Sequence, residues 1–152
     1  ANVRRSVEHD QARIVIVDSL NGYLNAMPDE RFLVLQMHEL LSYLGQKGVV
    51  TIMVLAQHGL VGVMDTPIDI SYLSDAVIMQ RYFEHAGIIR RALSVVKKRS
   101  GRHENTIREY RFSPTGIQVG PPLSHFNGIL SGTPEYTGDA AQLLKDEHDD
   151  TY

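Results

Sequence analysis

The sequence predicts an α/β fold. Two aliphatic, β-branched runs, Ile14–Val17 and Val49–Ala56, flank a segment with helical periodicity. That strand–helix–strand order, about 30 residues per unit, is what a parallel βαβ connection requires. Beyond residue 75 the pattern changes to long alternating runs divided by short glycine-bearing turns, which predicts antiparallel hairpins.

The elements follow in order. Val3–Asp10 is polar and reads as a helix end. Arg13–Asp18, RIVIVD, reads as a buried strand that delivers one carboxylate to the sheet edge. SLNGYLNAMP, 19–28, is read as a turn region. Pro28 suits the first position of a helix, and Asp29 and Glu30 suit its positive first turn. Phe32, Leu33, Leu35, Met37, Leu40, Leu41 and Leu44 recur at spacings of three and four, an amphipathic helix that Gly45 and Gly48 can stop. VVTIMVLA is the second buried strand.

QHGLVGVMDTPIDISYLSD, from Gln57, is a long loop with one helical turn. DAVIMQRYFE and IIRRALSVVKK form a hairpin about HAG, with His85 in its turn. TIREYRF and GIQVG form another about SPTG. Pro121 and Pro122 are expected to end regular structure, NGILSGTPEYTGDA to be loop, and the acidic tail to be flexible. The expected division is therefore 1–134 for the folded part and 135–152 for the tail.

Composition excludes several classes. The chain has no cysteine, which removes thiol catalysis, disulfides and Cys-based zinc sites, and fits a reducing cytoplasm. A net charge of −3 offers no general attraction to nucleic acid or anionic lipid. No apolar run approaches the roughly 18 residues of a membrane span. The histidines show no ligand-like spacing with carboxylates.

Asp18 is the first candidate for chemistry. A carboxylate at the carboxyl end of a strand points into the crevice where α/β sheets bind ligands. Mg²⁺ keeps most of its waters, so one such Asp can act through water while phosphates supply the rest. Ser19 adds a hydroxyl; capping of the following turn is the alternative role for Asp18. Gln57, at the end of the second strand, could orient a water, and His58 could move a proton; a loop start satisfied by backbone bonds is the alternative. Lys97, Lys98, Arg99 and Arg102 cluster where a strand runs into a glycine-bearing loop. Alternation sends Lys97 and Arg99 to one side, where two cations can clamp phosphates. A solvated hairpin tip is the other reading.

RIVIVDSLNGYL, ISYLSDAVIMQRYFEHAGIIRRALSVVKKRSGRHENTIREYRF and FNGILSGTP together resemble the KaiC family of ATPases, closest to the second of its two ATPase domains, over roughly Arg13 to Pro134. The resemblance implies a RecA-like partial core, mostly parallel sheet flanked by helices with a carboxyl-terminal antiparallel hairpin. It implies ATP and Mg²⁺ as cofactors of the parent protein, held between subunits of a hexameric homo-oligomer, with regulatory protein partners and no nucleic acid or membrane. Asp18 matches the Walker B aspartate, and Lys97 and Arg99 match cations that reach the neighbouring subunit's nucleotide. Ser71 matches a phosphoacceptor serine, whose partner threonine is replaced by Tyr72. Autokinase activity and a place in clock-like signalling are further implications.

None of the 12 glycines lies in G-x-x-x-x-G-K-[ST], the loop whose backbone N–H groups and lysine cradle phosphates. The expectation is a piece of a longer ATPase, inactive alone, with apolar sheet surface left uncovered. A non-catalytic oligomerisation or partner-binding module is the alternative, and a DNA-acting RecA-like protein ranks third.

Overall fold

The computed structural model describes residues 2–26, 30–56, 71–138 and 143–144. It divides into two compact units, Ala1–Gln57 with Thr66–Leu73, and His58–Asp65 with Ser74–Tyr152.

The first unit is built on a parallel pair, β1 (Ile14–Asp18) and β2 (Val50–Val54), in register from Ile14↔Val50 to Asp18↔Val54. Three helices, α1 (Asn2–Glu8), α2 (Leu20–Ala26) and α3 (Glu30–Gln46), accompany it. Strand alternation sends Val17 and Met53 to one face, where they pack with Leu55 against Leu20, Leu33 and Met37. Both strands were expected to be buried. The opposite face is instead open, with Ile14 60% and Ile16 62% exposed beside Val50, Ile52 and Val54. Helix packing covers one side of this pair among the described residues, so the continuous aliphatic run is two faces with different environments.

The expected turn after β1 is also corrected: Leu20–Ala26 is helical. Its asparagines and glycine suggest a turn, but Leu20 inserts into the core and outweighs that local preference. The following helix runs through Gly45 and stops by a Schellman motif. Val49 N–H bonds the Leu44 carbonyl at 2.9 Å, Gly48 N–H bonds the Gly45 carbonyl at 3.0 Å, and Gly48 holds φ 67°. α1 docks through Tyr43, whose hydroxyl donates to Glu8 at 2.9 Å.

The second unit is an antiparallel sheet of order β3-β4-β5-β6, comprising Ala76–His85, Ile88–Lys98, Arg108–Ser113 and Gly116–Pro122. Ala86 and Gly87 join β3 to β4 with φ 52° and 75°, positive at both positions as a two-residue type I′ hairpin needs. His85 is therefore the last strand residue rather than a turn residue; its ring packs on Phe126 and Tyr136, centroids 5.2 and 4.9 Å away. β6 continues through both expected terminators to Pro122, which an edge strand tolerates because one side of its backbone needs no donor.

One sheet face carries the core: Phe83 and Ala92 against Leu123, Phe126 and Ile129, with Ile107, Tyr136 and Leu143 around them. The segment read as loop contains a short ladder, β7 (Phe126–Asn127) with β8 (Glu135–Tyr136). Gly128 permits it: at φ 72°, a Cβ there would overlap the Thr133 carbonyl. Within the expected tail, Glu135 and Tyr136 thus pair in β8, and Leu144 lies on the sheet. Its N–H donates to Glu109 Oε2 at 2.7 Å and its carbonyl accepts from Arg90 Nη1 at 3.1 Å. Arg90 and Glu109 themselves form a buried ion pair at 2.9 Å.

Candidate functional site

Asp18 ends β1 on the open face, in line with Ile14 and Ile16, and its carboxylate is exposed. The Asp18–Ser19 peptide is cis. Opposite, β2 ends at Val54, so both strands of the pair finish at the same level in parallel. Parallel strands present their carboxyl ends together at the edge where ligands collect.

A residue that the sequence reading passed over fixes that edge. Asn21, in the first turn of α2, grips Ala56 by both backbone groups. Its Nδ2 donates to the Ala56 carbonyl at 2.8 Å, and its Oδ1 accepts the Ala56 N–H at 2.9 Å. The side-chain amide replaces a strand partner and ties the chain leaving β2 to the chain leaving β1. An Asn beside Gly22 reads first as a turn residue, and spacing alone gives no sign of a partner 35 residues away. Gln57 and His58, the next two residues, lie outside the described residues.

One carboxylate and one neighbouring hydroxyl suit Mg²⁺ that is held mainly by phosphates and water. Among the described residues no group of three or more His, Asp or Glu side chains could hold a metal unaided. Asp18 therefore fits a metal that arrives with its own ligands. Ser71, the candidate phosphoacceptor, is exposed at the start of a 3₁₀ turn, Ser71–Leu73.

The basic cluster belongs to the second unit. Lys97 is half-buried near the end of β4, and Arg99 stands just past that end. The ladder reaches Arg99, whose N–H donates to the Asp75 carbonyl at 2.7 Å, while its guanidinium meets the Asp75 carboxylate at 3.1 Å. That pair is exposed, so it orients more than it stabilises. Lys98 Nζ reaches the Arg102 carbonyl at 3.4 Å, across a loop in which Gly101 holds φ 75°.

A β-bulge governs how Lys97 is presented. Val77 pairs with Lys97, but Ile78 pairs with Val95, leaving Val96 as an extra residue. Upstream, Ala92 and Ser94 occupy the core face; downstream, Lys97 shares the side of Val77. Were Val96 to take a place in the ladder, strict alternation would put Lys97 on the opposite face. The sequence reading paired Lys97 with Arg99 by alternation and did not foresee this change of side.

No described helix is long and apolar enough to cross a membrane.

Comparison with known proteins places these features. The circadian clock protein KaiC3 of Synechocystis is 40% identical over 76 residues, 50% of this chain and 15% of that protein. The circadian clock oscillator protein KaiC of Acaryochloris marina is 40% identical over 65 residues, 43% of this chain and 12% of that protein. The matched stretches are thus a small part of those relatives. A KaiC-like protein from Pyrococcus horikoshii superposes with a TM-score of 0.64 at 24% identity, over 78% of this chain and 51% of that one. It shares the α/β fold in which a parallel, helix-flanked sheet is combined with an antiparallel one. A family model for the KaiC ATPase matches residues 1–124. The chain belongs to the KaiC ATPase family.

Proposed function

We propose that this chain supplies the metal-orienting edge of one ATP site and the phosphate-binding cations of another, in a homo-oligomeric, ring-forming ATPase. The observation that carries this reading is Asp18: an exposed carboxylate at the shared carboxyl end of two parallel strands, with the adjoining chain pinned by Asn21. In the proposal Asp18 holds Mg²⁺ through water and Ser19 contributes a hydroxyl. Lys97 and Arg99 reach the nucleotide of the neighbouring subunit, and Gln57 orients the attacking water. Bound Mg²⁺ would supply charge neutralisation of the phosphates.

The chain has no G-x-x-x-x-G-K-[ST] loop. Hydrolysis is accordingly assigned to a protein that combines this chain with such a loop, and the 152 residues alone are assigned no ATPase activity. Autophosphorylation at Ser71, a hexameric ring, regulatory protein partners, a cytoplasmic location and a role in clock-like signalling complete the proposal. The test is Asp18→Asn in the loop-containing protein: ATP turnover should fall at least roughly 10-fold at fixed Mg²⁺. An unchanged rate would remove Asp18 from the site.

The open apolar face of β1 and β2 supports a second reading, a non-catalytic oligomerisation module. It predicts that nucleotide has no effect on assembly, which sedimentation with and without ATP would decide.

A further inference from the structure

Arg81 lies in the middle of β3, on the face that carries the core, directly across from Ala92. The residue is 9% exposed. Its Nε and Nη1 are closed off from solvent and hydrogen-bond nothing among the described residues. A guanidinium does not shed its charge to escape burial. An uncompensated buried cation is among the more costly groups a fold can hold.

The charge balance of this face identifies what is lacking. By strand alternation Arg81, Arg90, Arg111 and Lys97 stand on it, with one described carboxylate, Glu109. Glu109 already accepts through both oxygens: Oε1 receives Arg90 and Oε2 receives the Leu144 N–H. Ser94, also buried, sits on the same face one step diagonal to Arg81, since Ala92 is the direct partner of Arg81 and Met79 that of Ser94. Among the described residues no strand pairs with the outer side of β3, which is an edge of its sheet. Nε and Nη1 are the sealed nitrogens, and Nη2 is not among the sealed atoms.

We infer that Arg81 forms a binding position for a small oxyanion, a phosphate or carboxylate group, received at Nη2 with the Ser94 hydroxyl alongside. Arg81 and Ser94 stand upstream of the bulge that precedes Lys97 in the β3–β4 ladder, and the inference does not depend on the ATPase proposal. Charge-assisted hydrogen bonds to an oxyanion are the strong kind, and partial exclusion of water strengthens them further.

The experiment is thermal unfolding of the full chain against inorganic phosphate, against acetate, and against sodium chloride at matched ionic strength. Saturable stabilisation by phosphate or acetate but not chloride is expected; response to both marks a general carboxylate or phosphate site, response to phosphate alone a phosphoryl site. Arg81→Met should weaken the midpoint at least roughly 10-fold, and Ser94→Ala roughly 2- to 10-fold. Equal stabilisation of wild type and Arg81→Met, or no anion response in the wild type, overturns the inference. Should Arg81→Met fail to fold, ³¹P line broadening of inorganic phosphate by the wild-type chain decides: broadening relieved by excess sulfate supports the site, and unbroadened phosphate overturns it.

Discussion

Asn21 holds Ala56 by donor and acceptor at once, at 2.8 and 2.9 Å, and so joins the exits of β1 and β2. Replacement by Ala removes both bonds while leaving the helix intact. Because the site is exposed, water can take over part of the bonding. Asn21→Ala is expected to cost about 0.5–1.5 kcal/mol in urea unfolding. Asn21→Asp should cost more, since its carboxylate would face the Ala56 carbonyl. Equal stability of the Asp and Ala variants would overturn the expected repulsion between that carboxylate and the Ala56 carbonyl.

The buried Arg90–Glu109 pair makes a sharper prediction. Glu109→Ala leaves a cation buried and the Leu144 N–H without its acceptor, and should cost about 3–5 kcal/mol. Removing both charges, with Arg90→Met and Glu109→Leu together, should cost less than Glu109→Ala alone. A double-mutant cycle by chemical denaturation measures this, and a purely additive result would show the pair uncoupled.

Two glycines separate backbone cost from steric cost. Gly48 and Gly128 both hold positive φ, 67° and 72°. A Cβ at Gly48 meets nothing within 4 Å, whereas at Gly128 it would overlap the Thr133 carbonyl. Gly48→Ala should therefore lose only about 1–2 kcal/mol, the cost of a left-handed alanine. Gly128→Ala should lose substantially more and loosen the β7–β8 ladder, read as faster amide exchange at Thr133.

Much of this architecture was legible in the sequence. Both parallel strands, the long helix and both hairpins follow from aliphatic runs, periodicity and glycine-bearing turns. What escaped depends on contacts remote in sequence. Leu20 turns a turn-like stretch into a helix by entering a core made of residues far downstream. Pro121 and Pro122 stay in a strand because that strand is an edge, which is a property of the sheet rather than of the prolines. At the site, Asp18 announces itself as a charge ending an apolar run. Asn21 and Arg81 do not, since the first is defined by its distant partner and the second by its burial.

The loop after β4 offers a pH test. Thr106 donates to Glu104 through its hydroxyl at 2.6 Å and its backbone N–H at 3.2 Å, and Arg108 adds a guanidinium at 3.2 Å. These partners hold the Glu104 carboxyl below its usual range, the Thr106 hydroxyl bond contributing most. A depressed carboxylate pKa stabilises the folded state above the unfolded pKa, and that contribution is lost as pH falls through the folded value. The site is fully exposed, so the effect is local. Side-chain NMR titration should show Glu104 protonating at lower pH than an ordinary glutamate, and Thr106→Val should move it back up. A titration that Thr106→Val leaves in place would assign the shift elsewhere.

Val96 gives β4 an odd step. Upstream of it, even-numbered residues look toward the core, and downstream the odd-numbered Lys97 takes that direction. The strand therefore changes parity here: whether Val96 stands outside the ladder decides which side of the sheet the terminal charge serves. Deleting Val96 would remove the bulge and still leave Lys97 opposite Val77, whereas a straightened strand with Val96 in the ladder would turn Lys97 to the other face. In this part of the chain the bulge itself, rather than the residue count, sets the direction of the charged edge.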